Sequence, residues 1–233
     1  MNYNYMSNNV QPTSSKQVYH SIQNRILNFD LKPGEKISEN QMCKEYDISR
    51  FIIRNVFTRL NQLKLLTVYP QRGTYVSLID IGYIEDLMVL RSAVEKEVLY
   101  EMLTRLEDDK RLSLVSKLEK NLKLQNNCRN MKVYNKKFQD LDTEFHKIII
   151  DSVKRYRLVK ILEDPMLHVM RWRNFDVAFV NKIPEVIDEH EVIADAIKEK
   201  DLNKAQKAIE KHLTTDSNMV ARAKKEYPQY FTK

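Results

Sequence analysis

The sequence predicts a mainly α-helical protein. An N-terminal winged helix-turn-helix with a small β-hairpin wing is followed by an all-helical bundle of about six helices. Three observations lead there. The 233 residues include only 3 glycines and 6 prolines, so few positions favour a turn over continued helix. Apolar residues recur at helical spacing through most of the chain. One short window, residues 66–77, switches to β-rich runs on either side of a turn.

The helical pattern begins with Val18, Tyr19, Ile22, Ile26 and Leu27, in a helix running from about 16 to 29. It is stopped by Leu31-Lys32-Pro33-Gly34. Ser38 is placed to cap a second helix ending near Tyr46, and Asp47-Ile48-Ser49 is a tight turn in which Asp47 tolerates a left-handed backbone. Ser49 then caps a third helix over about 50–64, with Ile53, Val56, Phe57, Leu60 and Leu63 inward. Leu66-Thr67-Val68-Tyr69 and Thr74-Tyr75-Val76-Ser77 flank Pro70-Gln71-Arg72-Gly73, which reads as a hairpin. Beyond Ile79 only helical patterns follow, over 82–106, 109–127, 131–152, 155–179, 184–199 and 202–226, with Asp201 as the cap of the last. The division expected is a disordered tail over 1–14, a DNA-binding domain over 15–77, a linker over 78–83 and the bundle over 84–228.

Composition limits the functional classes. Hydrophobic residues are 42% and charged residues 30%, which suits a globular chain and excludes wholesale disorder. No apolar run approaches the ~20 residues that span a bilayer, so no membrane partner is expected. The polar opening lacks a secretory signal pattern, and Cys43 and Cys128 have no metal-type spacing; both facts fit reduced thiols in the cytoplasm. The net charge is +7, and residues 1–77 hold 10 Lys+Arg against 5 Asp+Glu, whereas the remainder holds 29 against 27. The surplus lies where a phosphate-neutralising module would need it.

Within that module the third helix carries Arg50 and Arg54 four apart, hence on one face, and arginine pairs bidentately with guanine. Ser49 and the helix N-terminus can receive a phosphate, and Arg72-Gly73 forms a wing tip. The run from Leu31 to Glu39, then Ile48-Ser49-Arg50, Val56 to Leu66, and Pro70 to Val76 resembles the GntR superfamily of bacterial regulators. The resemblance implies a DNA-contacting set of Ser38, Asn40, Ser49, Arg50, Phe51, Arg54, Arg72 and Gly73. Relatives usually carry Thr-Pro where this chain has Phe51-Ile52, Glu where Asn55 stands, and Gly near Lys64.

In the bundle, Asp142 and His146 share one helix face at i and i+4, while His190 and His212 fall on the last two helices. Spacing alone also suits a surface ion pair with solvated histidines. The His-Glu-x-x-His signature is absent and no Glu is posed as a general base, so an enzyme is not expected. Leu90 to Glu95, Asp142 to His146, and Glu189 to Ile193 continuing through Asp201, Ala205 and His212 resemble the FCD branch of GntR regulators. That resemblance implies a divalent ion held by Asp142, His146, His190 and His212; the donor types suit Zn²⁺, the first expectation, and also Ni²⁺ or Mn²⁺. It implies an organic-acid effector anchored by Arg91; Arg171, Arg173 and His168 on the fourth bundle helix are weaker candidates that equally suit solvated or structural roles, and Trp172 and Phe175 suit cavity wall or, more simply, core. A C2 homodimer on a pseudo-palindromic operator completes the expectation. The alternatives are a metal-free bundle binding an apolar or acyl ligand, a metal-dependent enzyme tethered to DNA, and a bundle that only dimerises.

Overall fold

The computed structural model describes residues 14–131, 136–179, 182–214 and 217–232. The chain forms two compact units. One ends at Ile79 and also takes in the segment from Gln229; the other is Asp80–Pro228.

The first unit opens with α1 (Ser15–Leu27). Ser14, expected to end the tail, is instead its N-cap. The Ser14 hydroxyl accepts from the Gln17 N–H while the Gln17 side chain accepts from the Ser14 N–H, a reciprocal capping box. The rest of the expected tail, 1–13, lies outside the described residues. β1 (Lys36–Ile37) leads into α2 (Glu39–Tyr46), α3 (Arg50–Gln62), β2 (Leu66–Tyr69) and β3 (Gly73–Val76). Asp47 ends α2 at φ 51°, ψ 50°, in the left-handed conformation its short polar side chain tolerates. Val18, Ile22 and Ile26 of α1, Met42 of α2, and Ile53 and Leu60 of α3 are buried in one core, as helical spacing required.

The wing has one strand more than the expected hairpin. The sheet order is β1-β3-β2, all antiparallel, with Lys36 opposite Tyr75 and Leu66 opposite Val76. A two-residue strand has no room for period-two alternation, so it left no pattern to read. Gly73 sits at φ +113°, a backbone conformation that side-chain-bearing residues rarely adopt, so the turn favours glycine there.

The expected linker, 78–83, is largely structured. Ile79 is buried and forms an isolated parallel bridge with Phe231. The Ile79 N–H donates to the Tyr230 carbonyl at 2.8 Å, and the Thr232 N–H donates to the Ile79 carbonyl at 3.0 Å. Phe231 is buried and the Tyr230 ring lies 6.5 Å from that of Phe29. The chain's last turns are thus part of the first unit.

The second unit is all helical: α4 (Ile81–Arg105), α5 (Asp108–Asn126), α6 (Lys136–Asp151), α7 (Tyr156–Glu163), α8 (Met166–Phe179), α9 (Ile183–Lys198), α10 (Leu202–His212) and α11 (Ser217–Glu226). Two of the six expected helices are split. The pattern over 155–179 breaks at Asp164-Pro165, where proline has no N–H to continue the ladder and disfavours helix at the residue before it. The pattern over 202–226 breaks after His212, where the Thr214 hydroxyl donates back to the Glu210 carbonyl at 2.7 Å. α9 packs on α5 and α10, and α4 on α6, α8 and α10. Among the described residues no helix is long and apolar enough to cross a membrane.

Candidate metal centre and nucleic-acid interface

Residues 70 positions apart in sequence meet between α6, α9 and α10. Asp142 and His146 come from α6, His190 from α9 and His212 from α10; each offers a donor atom, all within 4.8 Å of one another, and all four residues are buried. α9 and α10 are brought back to back by a short turn in which Lys200 takes φ 62°, and the Asp201 carboxylate then accepts from the Lys204 N–H at 2.9 Å to start α10. Phe145 stacks on His190 with ring centroids 4.1 Å apart.

The outer partners determine which imidazole nitrogens face inward. His146 Nδ1 lies 2.8 Å from Glu95 Oε2, His212 Nδ1 2.9 Å from Glu189 Oε2, and His190 Nδ1 2.8 Å from Gln125 Oε1. The Gln125 amide is oriented by a relay: its Nε2 donates to Asn121 Oδ1 at 2.6 Å, and Asn121 Nδ2 donates to the Leu141 carbonyl at 3.1 Å. All three Nδ1 atoms therefore face acceptors and carry the proton. Each neutral ring then turns its Nε2 lone pair inward.

Those lone pairs point at one another. His146 Nε2 and His212 Nε2 are 3.1 Å apart, and His190 Nε2 and His212 Nε2 are 3.3 Å apart. His190 Nε2 is also 3.5 Å from Asp142 Oδ1. Three lone pairs and a carboxylate oxygen at these distances repel unless a cation lies among them, so the donor set fits a divalent ion.

Electrostatics agree. Burial pushes the three imidazoles down, with help from Arg91, from Arg173 and from one another; His212 is lowered to about 3, and His146 and His190 also fall well below 6.5. They are neutral at pH 7, the state that ligates metal. Burial alone would raise the Asp142 carboxyl, but Arg173 and the surrounding imidazoles overcome it and hold it well below the carboxylate range. Arg173 Nη1 donates to Asp142 Oδ2 at 2.8 Å.

Arg91, the expected effector anchor, donates through Nε to Glu95 Oε1 at 2.7 Å, and Glu95 is fully buried. Arg91, Glu95 and His146 thus form one continuous chain. Of the weaker candidates, Arg173 serves Asp142, His168 packs edge-on to Tyr83 with centroids 5.3 Å apart, and Arg171 is buried, which lowers it to about 9. Trp172 and Phe175 stack with centroids 5.8 Å apart and are buried, as expected of core. Sequence reading assigned no role to Glu95, Gln125 or Glu189, and offered Arg173 to an effector rather than to Asp142. Only Glu95 carried a signal, its i+4 spacing from Arg91.

In the first unit, α3 presents Arg50 and Arg54 outward, with side chains 58% and 61% exposed. Both are held by Glu39 at the start of α2. Arg50 Nε donates to Glu39 Oε2 at 2.6 Å and Arg54 Nε to both Glu39 oxygens at 3.2 Å. The two arginines lower the Glu39 carboxyl against the upward push of its slight burial, and Glu39 raises Arg50. Ser49 is the α3 N-cap without a side-chain cap bond, as is Ser38 for α2. Asn40 lies one residue into α2 from Glu39, Phe51 is 73% exposed, and Arg72 is exposed at the tip of the wing beside Gly73. Ser38, Asn40, Ser49, Arg50, Phe51, Arg54, Arg72 and Gly73 all lie in this unit.

Family models match both units. Residues 14–76 match that of the bacterial regulatory proteins of the gntR family, and residues 86–215 match the FCD domain. The chain belongs to the GntR family, in its FCD branch. Its relatives include the HTH-type transcriptional repressor RspR of Escherichia coli K12, 24% identical over 97% of this chain and 96% of RspR. Among solved structures, E. coli McbR/YncC matches with a TM-score of 0.68 at 15% identity, covering 91% of this chain and 98% of that one. A transcriptional regulator GntR from Rhodococcus sp. RHA1 matches with a TM-score of 0.64 at 16% identity, covering 94% and 99%. These likenesses support the fold: a winged helix-turn-helix and a helical FCD domain in a GntR-family transcriptional regulator.

Proposed function

We propose that this GntR-family regulator is a cytoplasmic, homodimeric repressor whose FCD unit binds a divalent metal and, on it, a small organic acid that modulates operator binding. The observation that carries the metal is the convergence of three Nε2 lone pairs on Asp142, each ring fixed by its own Nδ1 partner. Asp142, His146, His190 and His212 are the ligands, with Zn²⁺ first among Zn²⁺, Ni²⁺ and Mn²⁺. A divalent ion there supplies a Lewis-acidic point for a carboxylate. Arg91 anchors the rest of the anion by charge-assisted hydrogen bonds, in competition with Glu95.

In the DNA-binding unit, assigned to 15–77, α3 enters the major groove. Arg50 and Arg54 read base edges, the α3 N-terminus at Ser49 takes a phosphate, and Ser38, Asn40, Phe51, Arg72 and Gly73 complete the contact surface. The bundle, 84–228, dimerises the protein, so that two such units meet a pseudo-palindromic operator. Val89 and Leu90 of α4 and Tyr156 and Ile161 of α7 are exposed apolar side chains that a second copy would cover. An effector with unequal affinity for the DNA-competent and incompetent dimers shifts the population between them.

The decisive experiment is a gel-shift titration of the full chain on its own upstream DNA against random duplex. Salt-sensitive preference for the upstream DNA is expected, reduced about 10- to 100-fold by R50A and R54A together. Equal binding to both duplexes sinks the regulator reading of the arginines. Less than one bound metal per chain by elemental mass spectrometry after Zn²⁺ loading and desalting sinks the metal reading alone.

A further inference from the structure

We propose that Phe51 is a specificity-determining residue that reads the C5-methyl group of a thymine in each operator half-site. The inference rests on α3 being the groove-entering helix and names what its apolar side chain recognises.

Phe51 is the second residue of α3 and, at 73% exposure, the most exposed large hydrophobic side chain among the described residues. Its placement is not that of a core residue turned aside. At about 100° per residue, Phe51 projects almost directly away from the inner face filled by Ile53, Val56, Phe57 and Leu60, and roughly 60° round the helix from Arg54. The guanidiniums of Arg50 and Arg54 are both held by Glu39, so the ring shares the exposed side of α3 with two oriented cations. A surface with that charge is complementary to the polyanionic duplex, so the same partner that draws the arginines covers the ring.

The groove restricts what the ring can meet. Base edges in the major groove present acceptors and amino donors, which a phenyl ring would desolvate without replacing their hydrogen bonds. The one apolar group among them is the thymine methyl. A phenyl ring in the first turn, where a recognition helix approaches the bases most closely, therefore gains by packing on thymine and loses by covering the amino group of cytosine.

Replacing dT by dU deletes that methyl and nothing else, which makes the test direct. Duplexes selected by the purified full chain from a random pool define the site, and each symmetric thymine pair is then changed to uracil. Wild-type protein is expected to lose about fourfold in affinity for one methyl and about fifteenfold for both half-sites at one symmetric position. F51A is expected to bind the thymine and uracil duplexes within about twofold of each other, with an unchanged salt slope, and F51L to retain part of the discrimination. Because Phe51 is exposed, F51A is expected to melt with the wild type, which separates lost contact from lost fold. The proposal is overturned if no thymine position is sensitive to uracil, if the selected site carries no thymine pair, or if F51A discriminates as the wild type does. In each of those cases sequence preference itself survives. Selection that yields no consensus overturns the groove-entering reading of α3 and the Phe51 role together.

Discussion

The two units hold their chemistry in opposite ways. In the FCD unit, four buried donors within 4.8 Å are fixed by Glu95, Gln125, Glu189 and Arg173, three of them hydrogen-bonded to an imidazole and one to a carboxylate. In the winged unit, two exposed arginines share one carboxylate, Glu39, whose side chain is 25% exposed. Low dielectric makes the first arrangement stiff and costly to disturb, whereas water screens the second and leaves it adjustable. Under the proposed function, stiffness would suit a buried site that selects an ion, and freedom would suit an exposed surface that settles on a preferred stretch of DNA.

The sharpest break in that comparison comes from removing one buried donor. H190A is expected to weaken Zn²⁺ binding by more than about a hundredfold in a competition titration with a chelator, while affinity for nonspecific DNA stays within twofold of wild type. Loss of both together would mean that the units are not separable. A smaller effect tests the outer partners. E95Q keeps the shape but replaces an anion with an amide, so His146 loses its charged acceptor and Arg91 its counter-ion; a drop of roughly tenfold in metal affinity is expected. Unchanged affinity in E95Q would reduce Glu95 to packing.

How much of this was visible in the sequence follows from the same contrast. Asp142 and His146, and Arg91 and Glu95, sit four apart on single helices, so their shared faces could be read directly. That Gln125 would orient His190, or that Asn121 would orient Gln125, depends on how α5 packs on α9 and α6, and no local pattern encodes it. Glu39 lies 11 and 15 residues from its two arginines, across the turn of the helix-turn-helix. The bridge between Ile79 and Phe231 joins positions that flank the helical unit in sequence and leaves no periodic trace. The split at Asp164-Pro165, by contrast, was marked by its proline, but the apolar spacing on either side ran on past it.

Acid should separate the units further. The His212 imidazole is lowered from 6.5 to about 3 in the fold, chiefly by burial, and His146 and His190 are lowered too. Between those values the unfolded chain binds protons that the folded one refuses. Stability therefore rises with pH across that window and is lost as pH falls from 6.5 towards 3. The Glu39 carboxyl, lowered by Arg50 and Arg54, contributes above its ordinary value of 4.5 and fades only below it. Hydrogen exchange on metal-free protein between pH 7 and pH 5 is expected to show falling protection in α6, α9 and α10 while α1 and α3 change little. Parallel decline in both units would contradict the assignment of the acid sensitivity to the three histidines.

The smallest effect expected is that of E39Q, and its sign is informative. Glu39 restrains both arginines but also brings a negative charge towards the phosphates. Removing the charge strengthens nonspecific binding and steepens the dependence of log affinity on log salt by up to about one unit. The arginines, held now by a neutral amide, sample more rotamers before meeting guanine, so binding to the preferred site gains less. The ratio of specific to nonspecific affinity is expected to fall about two- to fivefold, the scale of a screened surface ion pair. Filter binding at three salt concentrations on selected and random duplexes reads both quantities at once. If the ratio instead rises, Glu39 is a competitor for the arginines rather than their guide, and the exposed site would share more with the buried one than its screening suggests, because its partner would then oppose binding strongly enough to be measured.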